Sequence, residues 1–236
     1  RAYAKLAAVR PGMVFVSQAS QAAFVAAFGS DFRFLRCIPL YVRAASAQGP
    51  GRPAPGVNAP FLLSVGALER RKNHLRTIDA FARSGLAQRG VSLVICGARG
   101  DAAEPIAERA AQTPGVTITG YVGDAQLRWL YRQAAGFVLP SLLEGFGLPA
   151  LEASLYGLVP IVSKDSALNE AVGGLGLAVD AGDADEIAAA MRQLIELDPR
   201  ARLQRGEQLK AHARAATHER FIEAWTELLA EELARP

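Results

Sequence analysis

Between residues 61 and 179, short and continuously apolar runs alternate with segments of helical spacing, and this alternation restricts the available folds more than any other feature of the chain. The apolar runs fall at 61–65, 91–95, 116–118, 136–139, 159–162 and 177–179, and the helix-spaced stretches at 75–83, 102–112, 125–133, 148–156 and 166–172. The runs lack the apolar–polar alternation of a strand with one wet face, so each is expected to be covered on both faces. Strand and helix alternating at this interval mean βαβ units, hence an α/β fold with a parallel sheet and helices on both its faces. From Asp183 onward the pattern is nearly all helical, broken around Asp198-Pro199 and again at 215–217.

Upstream of residue 61 the signal changes. A β-like run at 13–16 leads into Ser17, which is placed to cap a helix from Gln18 to Phe28, with Gly29 as its stop. A second apolar run covers 34–42. Residues 44–60 then crowd Pro and Gly without apolar periodicity, so they read as an interdomain linker, disordered over that length. The expected organisation is an N-terminal remnant at 1–43, the linker at 44–60 and the main domain at 61–236. The first residue, Arg1, suggests a piece of a longer polypeptide.

Composition excludes several classes. Half of the 236 residues are apolar, enough for a sizeable core and too many for wholesale disorder. The formal net charge of +3 is spread along the chain and gives nucleic acid no clustered basic face. No apolar run approaches the roughly 20 residues that span a bilayer, and no secretory leader opens the chain. Cys37 and Cys96 have no CxxC partner, which argues against a disulfide framework or zinc site and for a reducing compartment. His74, His212 and His218 show no metal spacing, so no metal site is expected.

Open parallel sheets bind ligands beyond the carboxyl ends of their strands, which directs attention to the residues following each run. These are Gly66 to Asn73, with the basic trio Arg70-Arg71-Lys72; Cys96 to Gly100, including Gly97; Gly120 to Gly123, including Tyr121; and Pro140 to Gly147. In the last, Gly145 and Gly147 let the backbone approach a ligand, and the helix that follows offers unpaired N–H groups at its positive end. A pyrophosphate can sit against the amides of Phe146, Gly147 and Leu148. Arg71 and Lys72 supply complementary cations. Glu144 lies in the loop and Glu152 about one turn into the helix, where it can accept two hydroxyls such as those of a ribose. The plainer readings are a Gly-rich turn with Glu152 solvated, a basic trio on open surface, and Tyr121 as a core residue.

Taken in order, Ser64-Val65-Gly66-Ala67-Leu68-Glu69-Arg70-Arg71-Lys72-Asn73, Gly120-Tyr121-Val122 and Glu144-Gly145-Phe146-Gly147-Leu148-Pro149-Ala150-Leu151-Glu152 resemble the donor-binding half of family 4 glycosyltransferases. Asp165 to Glu170 and Asp180 to Asp183 resemble later landmarks of that family. The resemblance covers roughly residues 58 to 230 and implies the Rossmann-like C-terminal half of a GT-B fold, with residues 1–43 left over from the N-terminal acceptor domain. It implies that Lys72 and Arg71 hold the diphosphate, Glu144 contacts the transferred sugar and Glu152 the ribose. Phe146, Gly147 and Leu148 would offer amides to the diphosphate or sugar, beside Gly145, while Gly66, Gly97 and Tyr121 belong to the donor site, Tyr121 near the base. Ala67 stands where many members carry Arg, which leaves that phosphate contact to Arg70 or Arg71.

The resemblance further implies retention of configuration, no cofactor and no metal, with a nucleotide-diphosphate sugar as donor and GDP-mannose favoured by the Glu-x-Arg-Lys-Asn variant. The expected partners are a glycan or lipid-linked acceptor, held mainly by the absent domain, in bacterial surface-polysaccharide assembly. The expected location is cytoplasmic, at the inner face of the membrane by peripheral association. The last helix, about 217–233, would cross back onto the absent domain, leaving Phe221, Trp225, Leu228 and Leu229 exposed, packed on another copy as a homodimer, or packed on its own domain. The chain alone is expected to bind a nucleotide but transfer little. A nicotinamide dehydrogenase would need a Gly-x-Gly-x-x-Gly turn after the first strand, which Gly66-Ala67-Leu68 does not begin. A sugar-nucleotide epimerase would need acid and base residues not identifiable here, and a non-catalytic binding relative would not need Glu144, Lys72 and Glu152 intact.

Overall fold

The computed structural model describes residues 9–43 and 47–235. Ser17 caps as its position predicts, its hydroxyl accepting from the Ser20 amide at 3.0 Å. It closes the first turn of α1 (Gln18–Phe28), which connects the parallel pair β1 (Gly12–Phe15) and β2 (Phe34–Cys37). Phe24 fills the space under this small βαβ unit, against Phe15, Phe28 and Phe32.

The main sheet contains β3 (Phe61–Val65), β4 (Ser92–Cys96), β5 (Val116–Gly120), β6 (Gly136–Leu139), β7 (Pro160–Ser163) and β8 (Leu177–Val179). All neighbours pair parallel, in the order β5-β4-β3-β6-β7-β8. The helices that join them are α2 (His74–Ser84), α3 (Ala103–Ala111), α4 (Asp124–Gln133), α5 (Leu148–Leu155) and α6 (Ala167–Ala171). Three more follow β8: α7 (Ala184–Glu196), α8 (Pro199–Ala215) and α9 (His218–Leu233). Every residue of β6 and β7 is buried, as the unbroken apolar runs predict for strands covered on both sides. Helix α2 buries Thr77, Ile78, Phe81 and Ser84 along one stripe and packs on α7. Strand β3 has β4 on one side and β6 on the other, so the chain builds outward from β3 and then returns to begin the second half. The loops after β3 and β6 therefore flank the point where strand order reverses, which is where such sheets hold ligands.

The breaker-rich segment differs from its sequence expectation. Residues 44–46 lie outside the described residues, as do 1–8. Within 47–60, Ala54 and Val57 are buried in the main core, the Arg52 amide donates to Ala125 O at 2.9 Å, and Arg128 donates to Pro50 O at 3.3 Å. Two small apolar side chains and two backbone anchors fasten a stretch whose composition suggested disorder.

Helix α9 returns to the β1–α1–β2 unit. Arg33 pairs with Glu232 at 2.6 Å and Arg36 with Glu231 at 3.0 Å, while Tyr41 meets the rings of His218 and Phe221. Leu228 is buried and Leu229 exposed, so the apolar stripe of this helix is partly covered within the chain. A second apolar cluster of Val42, Phe146, Leu151, Leu155, Ala171 and Ala213 ties the segment before the linker to α5, α6 and α8. Among the described residues no helix is long and apolar enough to cross a membrane.

Candidate functional site

Loops after β3 and β6 are bonded to each other. The Leu142 amide donates to Arg71 O at 2.8 Å, and Asn73 Nδ2 donates to Pro140 O at 2.9 Å and to Ala181 O at 2.8 Å. Asn73 ends the short 3₁₀ turn Arg70–Lys72 in the left-handed region, at φ 61°, a conformation that Asn tolerates better than most residues. One side chain thus fixes the two loops and the turn after β8 together.

This framework brings Lys72, Arg71 and Glu144 into one ionic cluster. Lys72 Nζ lies 2.5 Å from Glu144 Oε1, with the two side chains only 8% and 7% exposed. Arg71 Nη1 lies 3.0 Å from Glu144 Oε2, and Arg71 Nε lies 2.6 Å from Glu69. Ser141 Oγ donates to Glu144 Oε1 at 2.9 Å. Of the basic trio only Lys72 is buried; Arg70 and Arg71 are both exposed, although Arg71 is held by two carboxylates. The sequence assigns Lys72 and Arg71 to the diphosphate and Glu144 to the sugar of one ligand, with no sign that these side chains bind each other. Ser141 and Glu69 stand in the loops the sequence singles out but receive no role there, although Ser141 is only three positions before Glu144.

Below the cluster the backbone is packed tightly. A Cβ on Gly97 would lie 1.9 Å from the carbonyl oxygen of Gly66, so the approach of the two loops requires glycine there. Gly66 lies against the aliphatic stem of Lys72. At the start of α5, Gly147 adopts φ 113°, and a Cβ there would lie 2.6 Å from Leu168 Cδ2. Among the described residues no hydrogen bond engages the amides of Phe146, Gly147 or Leu148. The Phe146 side chain turns away into the second apolar cluster, so this residue contributes its backbone. Free amides at a helix start, beside the buried Lys72 and the exposed Arg71, are groups able to donate to anionic oxygens.

Glu152 projects from the second turn of α5 toward α4. Tyr131 Oη donates to Glu152 Oε2 at 3.1 Å, and the Tyr131 ring stacks on Tyr156 with centroids 5.0 Å apart. With Asp124, Leu127, Arg128 and the two tyrosines, Glu152 borders a cavity of about 180 Å³. It is therefore not a solvated helix residue. Burial pushes its carboxyl above the ordinary range, the Tyr131 hydrogen bond opposes this, and the nearby Asp124 adds to it. Burial holds the Tyr131 hydroxyl protonated, so it remains a donor. The native state thus binds a proton on Glu152 where the unfolded chain has released it, and stability falls as pH rises from the ordinary carboxylate range through the raised value. Glu152→Gln is expected to raise the melting temperature by about 2–4 °C at pH 8, with the gain fading below pH 4. A scan showing no pH dependence in the difference would remove this account.

Tyr121 is 79% exposed beyond the end of β5, which excludes a core role, and Gly97 N donates to Gly120 O at 3.0 Å beside it. His74 is buried against Ser64 and Ala67 O, and burial lowers its pKa to about 4, so it packs as a neutral ring. Among the described residues no three His, Cys, Asp or Glu side chains are arranged to hold a metal ion.

Residues 52–215 match the family model described as glycosyl transferases group 1. O-antigen chain mannosyltransferase B of Escherichia coli is 36% identical over 142 residues, covering 58% of this chain and 37% of that protein. The serotype-specific mannosyltransferase WbdA of the same organism is 32% identical over 162 residues, covering 66% of this chain and 19% of that protein. The chain therefore spans well under half the length of either relative. Among solved structures, the UDP-forming α,α-trehalose-phosphate synthase of Burkholderia vietnamiensis superposes with a TM-score of 0.79 at 17% identity, over 93% of this chain and 61% of that one. Sucrose-phosphate synthase of Thermosynechococcus elongatus superposes with a TM-score of 0.76 at 25% identity, over 94% and 58%. The fold is shared with GT-B glycosyltransferases. On the match of 52–215, more than half of its length, the chain belongs to the family of glycosyl transferases group 1.

Proposed function

We propose that this chain is the donor-binding part of a family 4 retaining glycosyltransferase. In this reading it helps move a hexose, mannose first among them, from a nucleotide-diphosphate sugar to a glycan or lipid-linked acceptor in bacterial surface-polysaccharide synthesis. The observation that carries the reading is the placement of the Lys72–Glu144–Arg71 cluster beside free amides at the start of α5, at the reversal point of the sheet. Lys72, Arg71 and the amides of Phe146, Gly147 and Leu148 hold the diphosphate. Glu144 accepts from hydroxyls of the transferred sugar and Glu152 from the ribose, while Tyr121 lies near the base and Gly66 and Gly97 belong to the donor site.

The chemical demand is to stabilise the charge that collects on the departing diphosphate, and fixed cations and amides do so without a metal. The leaving diphosphate helps take the acceptor's proton on the face it vacates. Further polypeptide, corresponding to the N-terminal domain of which residues 1–43 are a remnant, reads the acceptor. The whole enzyme works in the cytoplasm, at the inner face of the membrane.

Calorimetric titration of the chain with GDP, UDP, dTDP and NADH tests the reading. A nucleoside diphosphate, GDP foremost, is expected to bind. Binding of NADH with none of the three diphosphates would defeat it. With GDP-mannose the 236 residues alone are expected to turn over negligibly, and full transferase rates would refute the assignment of the acceptor to other polypeptide.

A further inference from the structure

The start of α1 lies against the loop proposed to cradle the diphosphate. Ser17 Oγ is 2.7 Å and Ser20 Oγ 2.9 Å from the carbonyl oxygen of Gly145, and the two hydroxyls are 2.8 Å from each other. Two protons serve these three oxygens, so Gly145 O accepts at least one hydrogen bond in any arrangement. Ser17 is wholly buried. The Glu170 carboxylate on α6 accepts from the amides of Gln18 at 2.8 Å and Ala19 at 3.1 Å. Together with the Ser17 cap on Ser20, these contacts occupy the first three amides of α1 and clamp the helix start between α6 and the loop.

Gly145 has no side chain to restrict its own backbone, so its orientation must be imposed from outside. In a trans peptide the carbonyl and the following N–H point in opposite directions. Fixing the Gly145 carbonyl toward Ser17 and Ser20 therefore aims the Phe146 amide away from α1. We propose that Ser17 and Ser20, from the unit before the linker, are positioning residues that set the direction of the Phe146 amide for the donor diphosphate. The inference rests on the functional reading above, and it makes a segment some 125 positions upstream part of the donor site.

The test compares GDP with guanosine, and UDP with uridine, by calorimetry on the full chain carrying Ser17→Ala and Ser20→Ala together. Diphosphate affinity is expected to fall about tenfold, the loss of one well-placed hydrogen bond to an anion, while nucleoside affinity holds. Ser20→Thr keeps the hydroxyl and is expected to bind as the wild type does. Should the double variant fail to fold by circular dichroism, Ser20→Ala alone, at a partly exposed position, is expected to give about a threefold diphosphate-selective loss. A folded variant that binds GDP and UDP as tightly as the wild type, or loses diphosphate and nucleoside equally, would overturn the positioning role and leave the functional reading standing. A wild-type chain that binds neither diphosphate would overturn both.

Discussion

Lys72→Ala is expected to cost the chain stability and diphosphate affinity together. Lys72 faces Glu144 at 2.5 Å with both side chains nearly out of solvent. Removing one partner of a buried pair leaves a desolvated charge, which costs about 3–5 kcal/mol when nothing else compensates it. Here Arg71 and Ser141 still reach Glu144, so the loss should fall nearer about 2–3 kcal/mol. Denaturant unfolding would measure it, and Lys72→Met, which keeps the stem against Gly66, would separate charge from packing. The same substitution is expected to weaken GDP about a hundredfold, from lost charge-assisted contacts, and to leave guanosine unchanged. Equal losses for the two ligands would contradict the role. Pairing Lys72→Met with Glu144→Gln should recover stability without recovering GDP affinity, because it removes the orphaned charge but not the need for a cation.

The second large effect concerns the floor of the site. In Gly97→Ala the new methyl would lie 1.9 Å from Gly66 O and 2.5 Å from its carbonyl carbon. The obstacle is backbone, so no rotamer change relieves it, and the ends of β3 and β4 must move apart. That movement breaks the 2.9 Å bond from Gly66 N to Cys96 O. The expected destabilisation is about 3 kcal/mol or more, a drop of roughly 10 °C in melting temperature. A variant that melts within about 2 °C of the wild type would show that the two loops are looser than their spacing indicates. The outcome also bears on function: the resemblance places Gly97 at the donor, and the packing shows that glycine is required there before any ligand is considered.

Much of the architecture could be read locally. Strands buried on both faces leave unbroken apolar runs, so β3 and β6 fall where the sequence places them, and Ser17 and Gly29 bound α1 as read. Strand β8 does too, although Ala178 is exposed and β5 is only half-buried, so neither edge strand has the expected cover on both faces. The loops carrying Lys72, Glu144 and Gly147 were legible because strand ends in a parallel sheet announce where a ligand site belongs. The pairing of Lys72 with Glu144 was not, since the two stand 72 positions apart and nothing local links them. Nothing in the sequence marks Tyr131, and only the approach of α4 to α5 shows its hydroxyl on Glu152. Ala54 and Val57 escape notice because two apolar residues among many breakers make no period, and burial is decided by what they meet.

On the proposed donor reading, the carboxylate of Glu144 also bears on selectivity. Arg71 and Lys72 are already matched, charge for charge, by Glu69 and Glu144. Chloride or inorganic phosphate arriving there would compete with a resident carboxylate and bring it nothing in return. A molecule carrying linked phosphoryl oxygens and sugar hydroxyls together can satisfy the cations and the displaced glutamate in one step. If the cluster is the donor site proposed above, its charge neutrality at rest disfavours small ions relative to a sugar nucleotide.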